Sequence, residues 1–334
     1  MNAFAGSSRR HIALPPERLL ALCASRSFSP LLKNGTCEMA ESDKPFPTGL
    51  VIGPMRTGST WLYEYLSSRG DVCLPKDVKE TFYFAENYEK GEAWYENHFR
   101  HYDPARHRGI IDVSPTLFHS DEAAARVRKD LQDPVLMATL RHPIDRAWSH
   151  YMHLRQYGAT TLDFDSAIRE IPTIIEPSLY AKHLARWLDE FGRDAVRIMF
   201  YSDLKKHQPE YVRQVNEAFG LPDAAAEALP SAKVNSGSLP RNLLLARATR
   251  RAAATLRRGG LHPLVNAGKR MGLANLVYGR SRGKGSNPRM RPDTRSYLVE
   301  RFARDVDDLE RLLDINLDAW RERWTPPRKT SHQA

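Results

Sequence analysis

The chain has 334 residues, 41% of them hydrophobic and 27% charged, and its 50 Lys and Arg outnumber 40 Asp and Glu for a net charge of +10. Such a balance lets the chain bury a core and remain soluble, while no apolar run reaches the roughly 20 residues that span a bilayer. Three cysteines, Cys23, Cys37 and Cys73, are too few for a disulfide framework and show no metal-ligand spacing; with Glu17, Arg18 and Arg26 interrupting any secretory-signal pattern, the expectation is a reduced, cytoplasmic protein.

In chain order, residues 1–46 mix Ser, Pro, Arg and Gly and read as an N-terminal arm with one short helix around Glu17 to Cys23. GLVIGPMRTGSTWLYEYL at 49–66 then reads as a buried strand, a Gly-containing turn and a helix start. Backbone N–H groups in such a turn, with the unsatisfied first amides and positive dipole end of the helix, make an anion site that needs no metal. Strand-like runs follow at 109–112, 135–140 and 195–200, separated by helical patterns, so right-handed β-α-β crossovers and a parallel sheet are predicted. After the run VLMATL at 135–140, Arg141 stands at the strand's carboxyl end and Pro143 where a helix can begin. On that helix Ile144, Ala147, Trp148, Tyr151 and Met152 form a stripe predicted to face the sheet, with Ser149 at its edge. Both Arg141 and Ser149 then point to the crevice above the sheet where open α/β folds bind ligands.

Tyr180, Leu184, Trp187, Leu188 and Phe191 make a helical stripe ending at Gly192, and Pro209 to Phe219 makes another closed by Gly220. Residues 241–280 read as a basic helical insertion. Between 241 and 291 there are eleven Arg and two Lys with no Asp or Glu, a local +13 that leaves 10 − 13 = −3 for the rest of the chain. A field of that sign asks for an anionic neighbour: a nucleotide phosphate, an anionic glycan, a membrane surface or simply solvent. Leu298, Phe302, Val306, Leu309 and Leu313 stripe a long C-terminal helix, with Trp320 and Trp324 packing its exit. Residues 47–324 thus read as one domain, followed by a tail at 325–334.

The 53–61 turn fits the frame of the nucleoside-triphosphate P-loop G-x-x-x-x-G-K-[ST] through Gly53, Gly58 and Thr60, but Ser59 stands where that loop has its lysine, and the cation is displaced to Arg56. GPMRTGSTW resembles instead the 5′-phosphosulfate loop of sulfotransferases that use 3′-phosphoadenosine 5′-phosphosulfate (PAPS). By that resemblance Arg56 takes the place of a lysine at the phosphosulfate bridge, Thr57, Gly58, Ser59 and Thr60 supply amides and hydroxyls, and Trp61 borders the adenine. Arginine keeps the charge and binds two oxygens at once but cannot give up a proton. LRHPIDRAWSHYMH at 140–153 resembles the family's 3′-phosphate motif, in which an arginine is followed eight residues later by a serine, here Arg141 and Ser149.

KETFYF at 79–84 resembles the Lys-Glu-x-x-x-Phe segment of glycan-type sulfotransferases, which implies Glu80 as the base that takes the acceptor's proton. Tyr201 matches a tyrosine that approaches the adenine, and Arg282, Gly283 and Lys284 resemble a late basic loop over the 3′-phosphate. DVSPTLF at 112–118 resembles a segment that often carries a lysine beside its serine, where this chain has Val113. Asp112, His98 and His150 are reserve candidates for base or acceptor contact. The fold implied is α/β, a P-loop-like parallel β-sheet flanked by helices, with the basic helical insertion and the C-terminal helix. The implied activity is metal-free sulfuryl transfer to a hydroxyl or amine of a carbohydrate, lipid or small metabolite, with no nucleic-acid partner. Two rivals stay open: a P-loop kinase acting on ATP with magnesium, and a basic nucleic-acid- or membrane-binding module.

Overall fold

Strand β1, Gly49–Gly53, is buried along its whole length, and its side chains divide between the two faces of a sheet as period-two alternation requires: Leu50 and Ile52 join one core and Val51 the other. The computed structural model describes residues 46–223 and 290–324. Within them five parallel strands, β1, β2 (Val72–Cys73), β3 (Gly109–Val113), β4 (Val135–Leu140) and β5 (Val196–Phe200), lie in the order β2-β3-β1-β4-β5. The four predicted strands are present with their registers closed around β1, which pairs Leu50 with Asp112 on one side and with Leu136 on the other. The two-residue β2 has no sequence pattern long enough to announce it.

The helices are α1 (Ser59–Arg69), α2 (Tyr83–Glu86), α3 (Glu92–Glu96), α4 (Ala123–Asp130), α5 (Pro143–Gln156), α6 (Phe164–Glu170), α7 (Tyr180–Phe191), α8 (Tyr201–Lys206), α9 (Gln208–Phe219), α10 (Pro292–Leu313) and α11 (Asp318–Arg321). On one face α1 and α9 bury Trp61, Leu62, Tyr65, Leu66, Tyr211, Val212 and Val215 against Val51, Ile111 and Met137. On the other, α4, α7 and the second half of α10 cover Leu50, Ile52, Leu136 and Ala138. The α7 stripe is as predicted except that a turn of 3-10 helix, Arg193–Ala195, separates Gly192 from β5. The α10 stripe is buried at all five predicted positions.

The stripe on α5 is a correction. Ile144, Ala147 and Tyr151 are fully buried, but they pack with Phe164, Ala167 and Ile168 of α6 and with Leu298 and Phe302 of α10, in a third core to which no strand contributes. The sheet's faces are already covered by α1, α9, α4 and α7, so α5 finds its apolar partners in neighbouring helices. Its opposite face is left toward the carboxyl ends of the strands.

Phe46 packs its ring 6.3 Å from that of Tyr95, so the domain core begins there. The arm expected at 1–46, apart from Phe46, the basic insertion at 241–280, the loop residues Arg282, Gly283 and Lys284, and the tail at 325–334 lie outside the described residues. Among the described residues no helix is long and apolar enough to cross a membrane.

Candidate active site

The segments that carry Arg56, Arg141, Tyr201 and Glu80 reach one edge of the sheet. β1 ends in the Pro54–Gly58 turn, β4 ends at Arg141, β5 ends at Tyr201, and the connection from β2 to β3 brings in Glu80. This is the carboxyl edge, at the point where the strand order reverses around β1.

The turn holds its shape through residues that only it requires. Gly53 has φ of 115°, and a Cβ there would lie 2.2 Å from the Pro115 carbonyl oxygen, so no side chain fits. Gly58, at φ of 106°, precedes α1, whose first turn has no side-chain cap and so keeps its amides for a partner. The Thr57 hydroxyl is buried and donates to the Pro54 carbonyl at 2.6 Å, so this hydroxyl braces the turn. Ser59 and Thr60 are partly exposed. The Trp61 ring is 4% exposed, stacked 5.8 Å from Tyr65 and edge-on to Tyr211 at 6.1 Å, so it packs into the core beneath α1.

Arg56 occupies the left-handed region at φ of 72°, which costs a non-glycine residue on the order of 1 kcal/mol. Arg141 offsets this by donating from Nη1 to the Arg56 carbonyl at 3.1 Å. The Arg56 guanidinium reaches the free face of α5, where Nε donates to Ser149 Oγ and Nη1 to His153 Nδ1, both at 3.3 Å. Guanidinium cannot accept, so His153 carries its proton on Nε2. Arg141 lies with Cζ 4.7 Å from the centre of the Tyr201 ring, and its Nε is buried with no hydrogen-bond partner. Among the described residues neither arginine pairs with a carboxylate. Burial, and then the neighbouring Arg141, hold Arg56 below the ordinary arginine value. Two adjacent guanidinium groups without counter-charge form a receptor for an anion with more than one charged group.

At the first turn of α1, Glu80 Oε1 accepts from Lys79 Nζ at 2.7 Å, and the same ammonium donates to Thr60 Oγ1 at 3.3 Å. The Glu80 side chain is 20% exposed. Its loop is tied down by the next residue, since Thr81 donates to Asp112 Oδ2 at 2.7 Å. Asp112, wholly buried, also accepts from Tyr95 at 3.0 Å and from Ser114 at 2.9 Å; burial pushes its carboxyl up to about 6 against these three donors, and the charge of Glu80 adds to the rise. Asp112 is therefore an anchor for the loop and has no open side for a substrate. Phe82, at φ of 55°, turns the backbone sharply just beyond.

The other reserve residues stay apart from this arrangement. His98 Nδ1 faces the Lys76 carbonyl at 3.4 Å, and His150, pushed down to about 3 by burial and then by Arg146, contacts Thr173 Oγ1 at 3.3 Å. Lys79, His153 and Arg146 are contributors that the sequence reading passes over. Lys79 is inside the quoted motif, and His153 follows Ser149 by four residues, one helical turn, which is a readable signal. Arg146 is fully buried, donating to Ser178 Oγ and the Ile174 carbonyl, and fastens the 172–178 segment to α5.

A family model described as "Sulfotransferase domain" matches residues 47–233, more than half of the chain. The chain belongs to the sulfotransferase-domain family. Among relatives, it is 27% identical over 211 residues to a bifunctional heparan sulfate N-deacetylase/N-sulfotransferase 1 of Xenopus laevis, covering 58% of this chain and 23% of that protein. It is 29% identical over 194 residues to bifunctional heparan sulfate N-deacetylase/N-sulfotransferase 4 of Mus musculus, covering 52% and 22%. The chain thus spans under a quarter of the length of these relatives. Among solved structures, a sulfotransferase from Alicyclobacillus acidocaldarius superposes with a TM-score of 0.59 at 21% identity, over 83% of this chain and 99% of that one, which establishes the shared fold. The Arg56 turn, Glu80, Arg141, Ser149 and Tyr201 all fall inside the matched family segment.

Proposed function

We propose that this sulfotransferase-family protein moves a sulfuryl group from PAPS to a hydroxyl or amine of a carbohydrate acceptor. The observation that carries the reading is the convergence of Arg56, Arg141 and Ser149 from three separate elements, with both guanidinium groups free of carboxylates among the described residues. A nucleotide bearing phosphate at two corners of one adenosine matches two such cations. The relatives' names couple heparan sulfate with N-sulfotransfer, which supports a carbohydrate acceptor and admits an amine as nucleophile.

In this reading the amides and hydroxyls of Ser59 and Thr60 hold the 5′ end beside Arg56, while Arg141, Ser149 and Tyr201 serve the 3′-phosphate and adenine, with Arg282, Gly283 and Lys284 completing that side. Glu80 takes the acceptor proton as the new sulfur bond forms. The bond from sulfur to the bridging oxygen breaks in line, and its electron pair stays on the 5′-phosphate, where preorganised cations and amides stabilise it.

Calorimetry on the full chain with 3′-phosphoadenosine 5′-phosphate (PAP), adenosine 5′-phosphate and ATP with magnesium tests the donor assignment. PAP is expected to bind roughly a hundredfold tighter than adenosine 5′-phosphate, the difference that one well-placed charged contact supplies. Preference for ATP with magnesium would replace this reading by phosphoryl transfer.

A further inference from the structure

We propose that Lys79 is a catalytic residue that binds the sulfuryl group of the donor, a role that rests on the PAPS reading above. Three observations converge on it. The Arg56 guanidinium is engaged by Ser149 and His153 of α5, with no hydrogen bond to Glu80 or Thr60. The position beside Ser114 is Val113, fully buried, and the Ser114 hydroxyl is spent on Asp112, so β3 brings no cation or free hydroxyl to the transferring group. Among the described residues Lys79 is the cation hydrogen-bonded both to the first turn of α1, through Thr60, and to the carboxylate of Glu80. In a donor whose 5′-phosphate sits on that first turn and whose acceptor meets Glu80, the group lying between is the sulfuryl.

The ion pair also explains how the base is kept until it is needed. At 2.7 Å the ammonium occupies a lone pair of Glu80. When the donor arrives, the sulfuryl oxygens compete for the same N–H groups, and the carboxylate oxygen released from Lys79 accepts the acceptor's proton. The sulfur bond to the acceptor oxygen or nitrogen forms as the bond to the bridging oxygen breaks, the electron pair leaves on PAP, the proton ends on Glu80, and Lys79 remains an ammonium throughout. A lysine suits this role because three rotatable donors on a flexible stem can follow the group as it moves.

Binding of PAPS and of PAP, which differ by the sulfuryl group alone, separates this role from a structural one. In Lys79→Ala, PAPS is expected to weaken about tenfold or more while PAP binding stays within about twofold, and turnover with a carbohydrate acceptor should fall about a hundredfold. Lys79→Arg should recover most of the PAPS affinity. The side chain is 31% exposed, so neither variant should disturb the fold, and circular dichroism with retained PAP binding verifies that. Equal affinities for PAPS in the Ala variant and the parent protein would overturn the assignment, as would an equal loss of PAPS and PAP. If the parent protein binds neither nucleotide, the donor reading falls and this role with it.

Discussion

The two sides of the candidate site are built on opposite electrostatic plans. Around Arg56 and Arg141 positive charge is left without a carboxylate, half-buried, and kept in place by a carbonyl, a serine, a neutral histidine and a tyrosine ring. Around Glu80 the charges are paired, Lys79 with the carboxylate, and the loop is anchored through Thr81 to a buried acid. In the proposed reaction this difference has a use: the unpaired cations suit a permanent anion, and the paired carboxylate suits a base whose charge changes. A docking site gains most from having no competitor for its ligand; a base must be held ready and then released.

That contrast can be broken by substitutions on each side. The largest effect is expected for Glu80→Gln, which keeps the size of the side chain and its link to Lys79 but removes the base: turnover should drop about a hundredfold to ten-thousandfold with PAP binding unchanged, as read by initial rates and calorimetry. If that variant turns over normally, Glu80 leaves the mechanism. Next, Arg141→Ala should weaken PAP by about ten- to a hundredfold and adenosine 5′-phosphate much less, because the loss belongs to the 3′-phosphate. Equal losses for both ligands would merge the two sides into one undifferentiated basic patch.

The smallest effect concerns the anchor. Burial raises the Asp112 carboxyl to about 6, above its value of 3.8 in an unfolded chain, so the native state binds the proton more tightly and this group's contribution to stability is present below about pH 4 and lost as pH rises through about 6. Between pH 5 and 7.5 the parent protein should lose about 1 kcal/mol of stability that Asp112→Asn does not lose, measured by denaturant unfolding at the two pH values. A pH-independent difference between the two proteins would mean that the three hydroxyl donors keep the carboxylate ionised throughout.

Most of the frame was legible because the signals are local. Four strands are short runs of apolar residues, the α7 and α10 stripes repeat at helical spacing, and the Gly53 and Gly58 turn is a sequence pattern with a steric cause. That Arg141 stands at a strand's carboxyl end was legible, but its pairing with the turn depends on β1 and β4 being neighbours, which the folded sheet decides. Side-chain duties were less legible. Thr57 and Trp61 are ordinary members of the motif by type, yet one is spent on bracing the turn and the other on the α1 core. Likewise the α5 stripe reads the same whether it faces a sheet or other helices.

By itself the amino-acid sequence determined the parallel α/β sheet, the glycine-shaped turn after β1 and the family, because periodicity, glycine geometry and motif spacing act over a few residues. Tertiary structure alone decided which polar groups are free and which are consumed: Arg56 bends to α5, Lys79 bridges Thr60 and Glu80, and Asp112 gathers three hydroxyls. Hydrogen bonds and charges are allotted among neighbours brought together from distant parts of the chain, and that allotment exists only once the chain has folded.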